Sequence, residues 1–503
     1  MAHDVLINVG AAETRVAVIA DGLLQEFYLE RTISPHEAAV TRGRGGHSLL
    51  GNIILGRVQR VLPGMQAAFV EIGLAKAGFL GAKEARCLAD LIGFEELPLP
   101  CITACVREGQ AVLVQVVKDP IGDKGARLSA NVTLPGRLLV FVPHQHGIAM
   151  SRRIEEGPER ERLAAIMERV VARLDKEGVR GAGFIVRTAA LGRSEEELVE
   201  DALALAGQWL KVETGRARST PPATLYFDLG PINRVLRDIV DAETLRVRID
   251  CAAAAAEARA YAARVMPELQ DRIETASPTL FDEHGIDAQL EQLLRARVPL
   301  KCGGWITIET TEALTAIDVN SGSLTDTTGL EETSVRTNLD AAAEIGRQLR
   351  LRAIGGLVVI DFIHLADPVN IANVLQTLAM SLGSDRVPTQ ISPMSEFGLV
   401  ALTRKRVREP LMKFLTEPAE PPVIGGRIKT PETVANEVLR RLEQEARARP
   451  GRNLIAHAAP EVIAWIKDAE EDVRKALARR GVARFGLEAQ AAWPRTRFEV
   501  AAQ

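Results

Sequence analysis

The stretches LTAIDVNSG (residues 314–322) and GLVVIDFIH (residues 356–364) decide how this chain folds around its chemistry. Each is a run of apolar, largely β-branched residues ending in a carboxylate, Asp318 in the first and Asp361 in the second. β-Branched side chains favour a pleated strand, where their restricted χ1 costs less than it does in a helix. Between the two lies ETSVRTNLDAAAEIGRQLRLRAI (residues 332–354), with helical periodicity, and Gly355-Gly356 stops it. Strand, crossover helix and strand are most easily built as a right-handed βαβ unit, whose parallel strands bring like ends together. Asp318 and Asp361 are therefore expected to face one crevice at the carboxyl ends of their strands, where open α/β sheets bind ligands.

Two carboxylates held close repel one another unless they share a proton or a cation lies between them. Mg²⁺ suits such a pair, being a hard ion that keeps several waters and takes one or two protein carboxylates together with phosphate oxygens. Asn320, two residues beyond Asp318 and on the same side if the strand continues, offers an amide to a phosphate oxygen or a metal-bound water. Such a site polarises a phosphoryl group and activates an attacking water. Either aspartate alone reads equally as a turn or helix-cap residue. The pair at matching strand ends is what points to a metal.

The rest of the chain sets bounds. With 503 residues and 47% hydrophobic content, it is too long for one core and implies roughly three or four domains. No stretch approaches the ~20 apolar residues of a membrane span, and MAHDVLINVG lacks a signal-like core, so a cytoplasmic address is expected. The five cysteines, at 87, 101, 105, 251 and 302, form no framework, and Cys101 with Cys105 lacks a second pair to complete a zinc site. A net charge of −4 and a pI near 6.2 neither favour nor exclude a nucleic-acid partner, so local charge must decide.

Along the chain, DVLINVGAAETRVAVIADGLLQEFYLER reads as a β-meander that is interrupted rather than finished. Short glycine-cornered strands from IILGRVQRV to GDKGARLS, with a basic loop, suggest a small closed barrel of the OB type. A helix is expected near residues 158–177, a second opens on the capping box of Ser194 and Glu197, and TGRARSTPP reads as a linker. TLYFDLGPINRVLRDIVDAETLRVRIDC returns to strand and helix and can complete the interrupted first domain. Thr430 and Pro431 open a long helix after a Pro/Gly-rich hinge.

KCGGWITIETTEALTAIDVNSG, EETSVRTNLDAAAEIGRQLRLRAIGGLVVIDFI and ISPMSEFGLVALTRKR closely resemble the catalytic core of the ribonuclease E/G family, and the resemblance extends over nearly the whole chain. It implies Mg²⁺-dependent endonucleolytic cleavage of single-stranded RNA to 5′-phosphate and 3′-hydroxyl ends, with Mn²⁺ as a substitute. Asp318 and Asp361 match the family's metal-binding aspartates and Asn320 their hydrogen-bonding partner. Phe69, Phe79, Lys118 and Lys124 match RNA contacts of the barrel, where rings stack on unpaired bases and lysines neutralise phosphates. Without the resemblance they read as core phenylalanines and surface lysines. GFIVRTAA matches the family's 5′-monophosphate pocket, with Arg187 and Thr188 as ligands and Gly136 and Val140 as neighbours; alone, Arg187 also reads as a strand-end salt-bridge residue. TRKRVR (residues 403–408) either lines the RNA path or is a solvated helix face.

The implied fold class is multidomain α/β and α+β. An RNase H-like domain (1–35 and 221–290) holds an inserted S1 barrel (36–130) and a 5′-sensor (131–220). A DNase I-like catalytic domain (291–415), a linker (416–430) and a small C-terminal domain (431–503) follow. The family's zinc link falls near EPAEPPVIGGRI, yet no cysteine follows Cys302, so no zinc is expected and any homo-oligomer must form without that bridge. His364 and Pro388 stand where relatives carry an acidic and a basic residue. The scaffold tail of the larger members is missing, so degradosome-type partners are not expected. Two other readings stay open: an RNA-binding scaffold with a silent cleft, and a phosphohydrolase of small nucleotides, against which the barrel argues.

Overall fold

Leu314–Asn320 is a strand, Leu330–Leu351 a helix and Gly356–Asp361 a second strand, and the two strands pair in parallel. The structure, a computed structural model, describes residues 2–33, 48–88, 100–120, 125–143, 145–176, 183–322, 330–383, 385–419 and 426–502. It divides into two units, one of Met1–Leu29, Glu243–Ala255 and Arg272–Gln503, the other of Glu30–Ala242 and Ala256–Asp271. Lys124 lies outside the described residues, as does part of the expected linker. Within the described residues no helix is long and apolar enough to cross a membrane.

In the first unit the parallel pair sits at the centre of a six-stranded mixed sheet. Its order is Arg297–Pro299, Trp305–Thr310, Leu314–Asn320, Gly356–Asp361, Leu399–Arg404 and Thr389–Ile391. Strand residues alternate faces with a period of two. Ile306, Ile308, Ile317, Val319, Val358, Ile360, Val400 and Leu402 point to one side and form a core with Ala341, Ala342, Ile345 and Leu349 of the crossover helix and Val374, Leu378 and Leu382 of helix Pro368–Gly383. The opposite face carries Ala316, Asp318, Leu357 and Asp361, all exposed. This asymmetry places the site: helices cover one side, and the acids stand on the other.

The N-terminal meander is present as His3–Val9, Glu13–Ala20 and Leu23–Arg31, and Thr244–Ile249 joins it in parallel beside His3–Val9. Near the C-terminus, helix Pro431–Ala448 starts where Thr430 Oγ1 accepts the Thr433 N–H, with Pro431 in the first turn. A three-stranded sheet follows, ordered Phe485–Ala489, Leu454–Ala458 and Phe498–Ala502.

In the second unit, five strands close into a barrel: Ile53–Leu62, Ala67–Glu71, Gly78–Gly81, Arg127–Ser129 and Ala111–Lys118, the last pairing back onto the first. Its interior is filled by Ile54, Val58, Ala68, Val70, Leu80, Val112, Val114, Val116 and Leu128. Ala223–Tyr226 pairs with Ile53–Leu62 beside the barrel. A four-stranded sheet, ordered Gly147–Met150, Gly183–Val186, Leu139–Val142 and Leu134–Pro135, packs with helices Pro158–Lys176 and Glu195–Arg218 around Phe141 and Phe184. Ser194 caps the second helix reciprocally with Glu197. That helix runs on to Arg218, so the first five residues read as a linker, TGRAR, are helical. Gly215 there lies against Leu225, and tertiary packing overrides the loop-like composition.

Candidate active site

Asp318 and Asp361 are direct register partners in the parallel pair. Paired parallel residues share a face, and neighbouring strands lie about 4.8 Å apart, so the two carboxylates rise side by side. They do so on an open sheet face, and the strand carrying Asp318 continues to Asn320. The expected crevice at the strand ends is thus a sheet surface, because both helices of this region pack on the opposite side. Asn320 lies on the same face and donates its amide N–H to Asp318 Oδ2 at 2.7 Å, which fixes the carboxylate's rotamer.

The chain leaving Asp361 is pinned by a residue that sequence reasoning missed. Asn338, fully buried on the crossover helix, donates to the Ile363 carbonyl at 2.7 Å and accepts the Ile363 N–H at 3.0 Å. A buried amide that pairs with both backbone groups of one residue holds it in a single orientation. The only sequence signal for it was a polar residue on the apolar face of an otherwise amphipathic helix. His364 is exposed one residue further on, and the exposed Pro388 uses its carbonyl to accept the Lys405 N–H.

The donors at this face are hard oxygens on two exposed acids, which fits a divalent ion that retains most of its water. Among the described residues no cluster of three or more His, Cys, Asp or Glu could hold a metal. A cavity of about 310 Å³ in the same unit is lined by Glu13, Arg15, Asp287, Lys429, Glu437 and Arg440. Its cations are already paired: Arg15 with Asp287, Arg440 with Glu13, and Lys429 with Glu437.

TRKRVR is not a helix, and its cations do not share one face. Arg404 ends a strand and is buried, with Nε 2.7 Å from Asp385 Oδ2 and Nη1 2.7 Å from the Ile354 carbonyl. Arg408 donates to the Phe27 carbonyl and lies over the Tyr28 ring. Lys405 and Arg406 are exposed. Arg406 also donates from Nε to the Gly355 carbonyl at 3.2 Å, so the apparent basic patch divides into arginines tied to backbone carbonyls and one exposed lysine.

On the barrel, Phe69 and Phe79 are half-buried cross-strand partners with ring centroids 6.1 Å apart, edge to face. They point away from the interior that Ala68, Val70 and Leu80 fill. Register extends the row: Arg60 pairs with Phe69, Phe79 with Arg127, and Arg127 with Lys118, all three cations being exposed. Two rings flanked by three cations form one band across the outer surface. Arg60 and Arg127 escaped the sequence because a bulge in each outer strand hides their register.

In the other sheet of that unit, Arg187 follows strand Gly183–Val186 and Thr188 opens a short 3₁₀ turn. The Arg187 guanidinium donates to the Gly136 carbonyl through Nη1 (2.5 Å) and to Asp238 Oδ1 through Nη2 (2.8 Å). Val140 is half-buried on strand Leu139–Val142. Gly136 is required by a close approach, since a Cβ there would meet the Asp201 carboxylate at 2.6 Å. Asp201 in turn accepts the Leu138 and Leu139 N–H groups, and burial pushes its carboxyl up although those bonds pull it down. Burial likewise opposes ionisation of Asp238, but hydrogen bonds and charge from Arg237 and Arg187 outweigh it and hold that carboxyl below its usual range. The structure thus joins Gly136, Arg187 and Asp238 directly. Asp201 and Asp238 were not singled out from sequence.

The chain as a whole is similar to known proteins. Residues 133–407, over half the chain, match the model of the Ribonuclease E/G family. Ribonuclease G of Escherichia coli (strain K12) is 40% identical over 477 residues, covering 93% of both chains. Ribonuclease G of Haemophilus influenzae is 37% identical over 474 residues, again 93% of each. Ribonuclease E of Nostoc sp. is 39% identical over 388 residues, covering 76% of this chain and 54% of that protein. A match of this extent, carried through the strands that hold Asp318 and Asp361, makes the chain a member of the ribonuclease E/G family.

Proposed function

We propose that this protein is an endoribonuclease that hydrolyses single-stranded RNA at the Asp318–Asp361 face with Mg²⁺, leaving 5′-phosphate and 3′-hydroxyl ends. The observation that carries the reading is the direct register of the two acids on an uncovered sheet face. Asp318 and Asp361 would hold the ion; when bound, it would polarise the scissile phosphate and ease deprotonation of the attacking water. Asn320 keeps Asp318 oriented through one N–H and has a second N–H and an oxygen for a phosphate oxygen or a water. Asn338 fixes the backbone beyond Asp361.

The barrel band supports an extended RNA ligand, because a small nucleotide needs no row of cations and rings reaching across several strands. Phe69 and Phe79 stack on bases, while Lys118, Arg60 and Arg127 neutralise phosphates; Lys124 joins them by resemblance. Arg187 and Thr188, with Gly136 and Val140, form a 5′-monophosphate pocket that makes such RNAs preferred substrates. A planar fork already aligned by two acceptors suits a terminal phosphate. On this reading the meander with its returning strand is an RNase H-like domain, the barrel an S1 domain, and the six-stranded sheet a DNase I-like domain.

Incubating a labelled single-stranded oligonucleotide with the full chain, with and without Mg²⁺, tests the proposal. Cleavage should require the ion and fall at least about 100-fold in Asp318→Asn, equivalent to ~2.7 kcal/mol of barrel-independent transition-state stabilisation, while RNA binding persists. Equal cleavage by parent and variant overturns the reading; binding without cleavage by either leaves an RNA-binding scaffold.

A further inference from the structure

Phe397 is 85% exposed, more than any other large apolar side chain recorded as exposed among the described residues. Large aromatic rings are ordinarily withdrawn from water, so a bare one on a hydrogen-bonded turn calls for a partner. The turn is held by three hydrogen bonds: Ser395 N–H to the Leu399 carbonyl at 2.8 Å, Gly398 N–H to the Ser395 carbonyl at 3.0 Å, and Leu399 N–H to Ser395 Oγ at 3.1 Å. Gly398 closes it at φ +80°, a conformation that residues with a Cβ seldom adopt.

The location gives the ring its meaning. Strand Leu399–Arg404, which leaves the turn, pairs antiparallel with Gly356–Asp361, and Leu399 is the register partner of Asp361. The turn therefore stands at the end of the strand that presents Asp361. A second aromatic, Trp305, is the register partner of Asn320, but the Arg297 guanidinium already lies 3.7 Å over its ring. Ser395 and Glu396 beside Phe397 are exposed and polar. One ring among polar neighbours is too small to anchor a stable protein interface, whereas a single exposed ring is enough to stack on one base.

We propose that Phe397 is a substrate-positioning residue whose ring stacks on the base of a nucleotide next to the scissile phosphate, setting where the backbone crosses Asp318 and Asp361. This rests on the endoribonuclease reading above. Stacking needs only a π-face, so the residue would tolerate any base yet reject the lack of one.

The test uses the full chain with Mg²⁺ and oligonucleotides in which one abasic nucleotide is moved stepwise past the scission point. The parent should lose about tenfold in kcat/KM at one abasic position. Phe397→Ala should show a similar loss on the intact oligonucleotide and no further loss at that position, and Phe397→Trp should restore the parent pattern. Parent-like kcat/KM for Phe397→Ala, or losses that multiply with the abasic site, overturns the proposal alone. A solution mass that falls in Phe397→Ala with the abasic pattern unchanged assigns the ring to a second copy of the chain and also overturns it. Failure of the parent to cut any RNA removes the endoribonuclease reading and this role with it.

Discussion

The Arg187 guanidinium spans two acceptors at once, the Gly136 carbonyl and the Asp238 carboxylate, from a backbone position fixed by the following 3₁₀ turn. A lysine ammonium carries the same charge but has no rigid fork with which to bridge both. Arg187→Lys is therefore expected to behave as Arg187→Ala, each lowering the ratio of cleavage of 5′-monophosphate over 5′-hydroxyl RNA at least about tenfold, roughly the loss of one charge-assisted hydrogen bond. Retention of the parent ratio by Arg187→Lys would show that charge alone suffices. Cys101, on the barrel-bearing unit, poses a separate question of charge. The exposed Cys101 thiol is drawn down to about 7 by hydrogen bonds from Thr103 and Gln66. Lowering a thiol's pKa raises its thiolate fraction at neutral pH, and the thiolate is the nucleophile. The rate of Cys101 alkylation by iodoacetamide should thus rise through a midpoint near pH 7, and Thr103→Val should move that midpoint upward; coincident profiles would refute the hydrogen-bond cause.

At the scale of elements, the Arg404–Asp385 pair ties the end of strand Leu399–Arg404 to the chain after helix Pro368–Gly383. Both side chains are buried, and Arg404 also reaches the Ile354 carbonyl. Removing one member of a buried pair leaves an unpaired charge in a poor solvent for it, at a cost of ~3 kcal/mol or more. Asp385→Ala should accordingly lower the thermal midpoint of the transition that includes this sheet by several degrees, and an unchanged midpoint in calorimetry would show that water reaches Arg404. The same strand explains what was legible. Asp318 and Asp361 could be read because two β-branched runs ended in the same residue type around a helical period, and local pattern suffices for that. The caps at Ser194 and Thr430 were legible for the same reason: their partners lie within one turn. What lay beyond reach was tertiary. Which face the helices cover decides that the acids stand on an open sheet, and strand alternation decides that Arg404 turns inward while Lys405 does not. Asn338, Asp201 and Asp238 act on segments outside their own elements, and the sequence does not show which partners they meet.

For the whole molecule, the two proposed tasks, cleavage and binding, fall on different units: the acids belong to the first, the barrel band and Arg187 to the second. The energies of the two tasks should then separate experimentally, provided the band binds RNA by the mixture of stacking and charge that its residues suggest. In an Asp318→Asn background, which on the proposed function should hold RNA without cutting it, Phe79→Ala should weaken binding of a single-stranded oligonucleotide about 5- to 100-fold, the range of one lost base stack. Its dependence on salt should stay as it was, because a ring releases no counterions. Arg127→Ala should do the converse, reducing the slope of log affinity against log salt by about 0.7, as expected for one phosphate contact to a single strand. Its effect should accordingly shrink at high salt, while that of Phe79→Ala should not. Fluorescence anisotropy across a salt series measures both. In the cleaving protein, neither change should alter the single-turnover rate at saturating RNA. If Arg127→Ala left the slope untouched, or if Phe79→Ala slowed saturated cleavage as much as binding, the band would not be an independent RNA track.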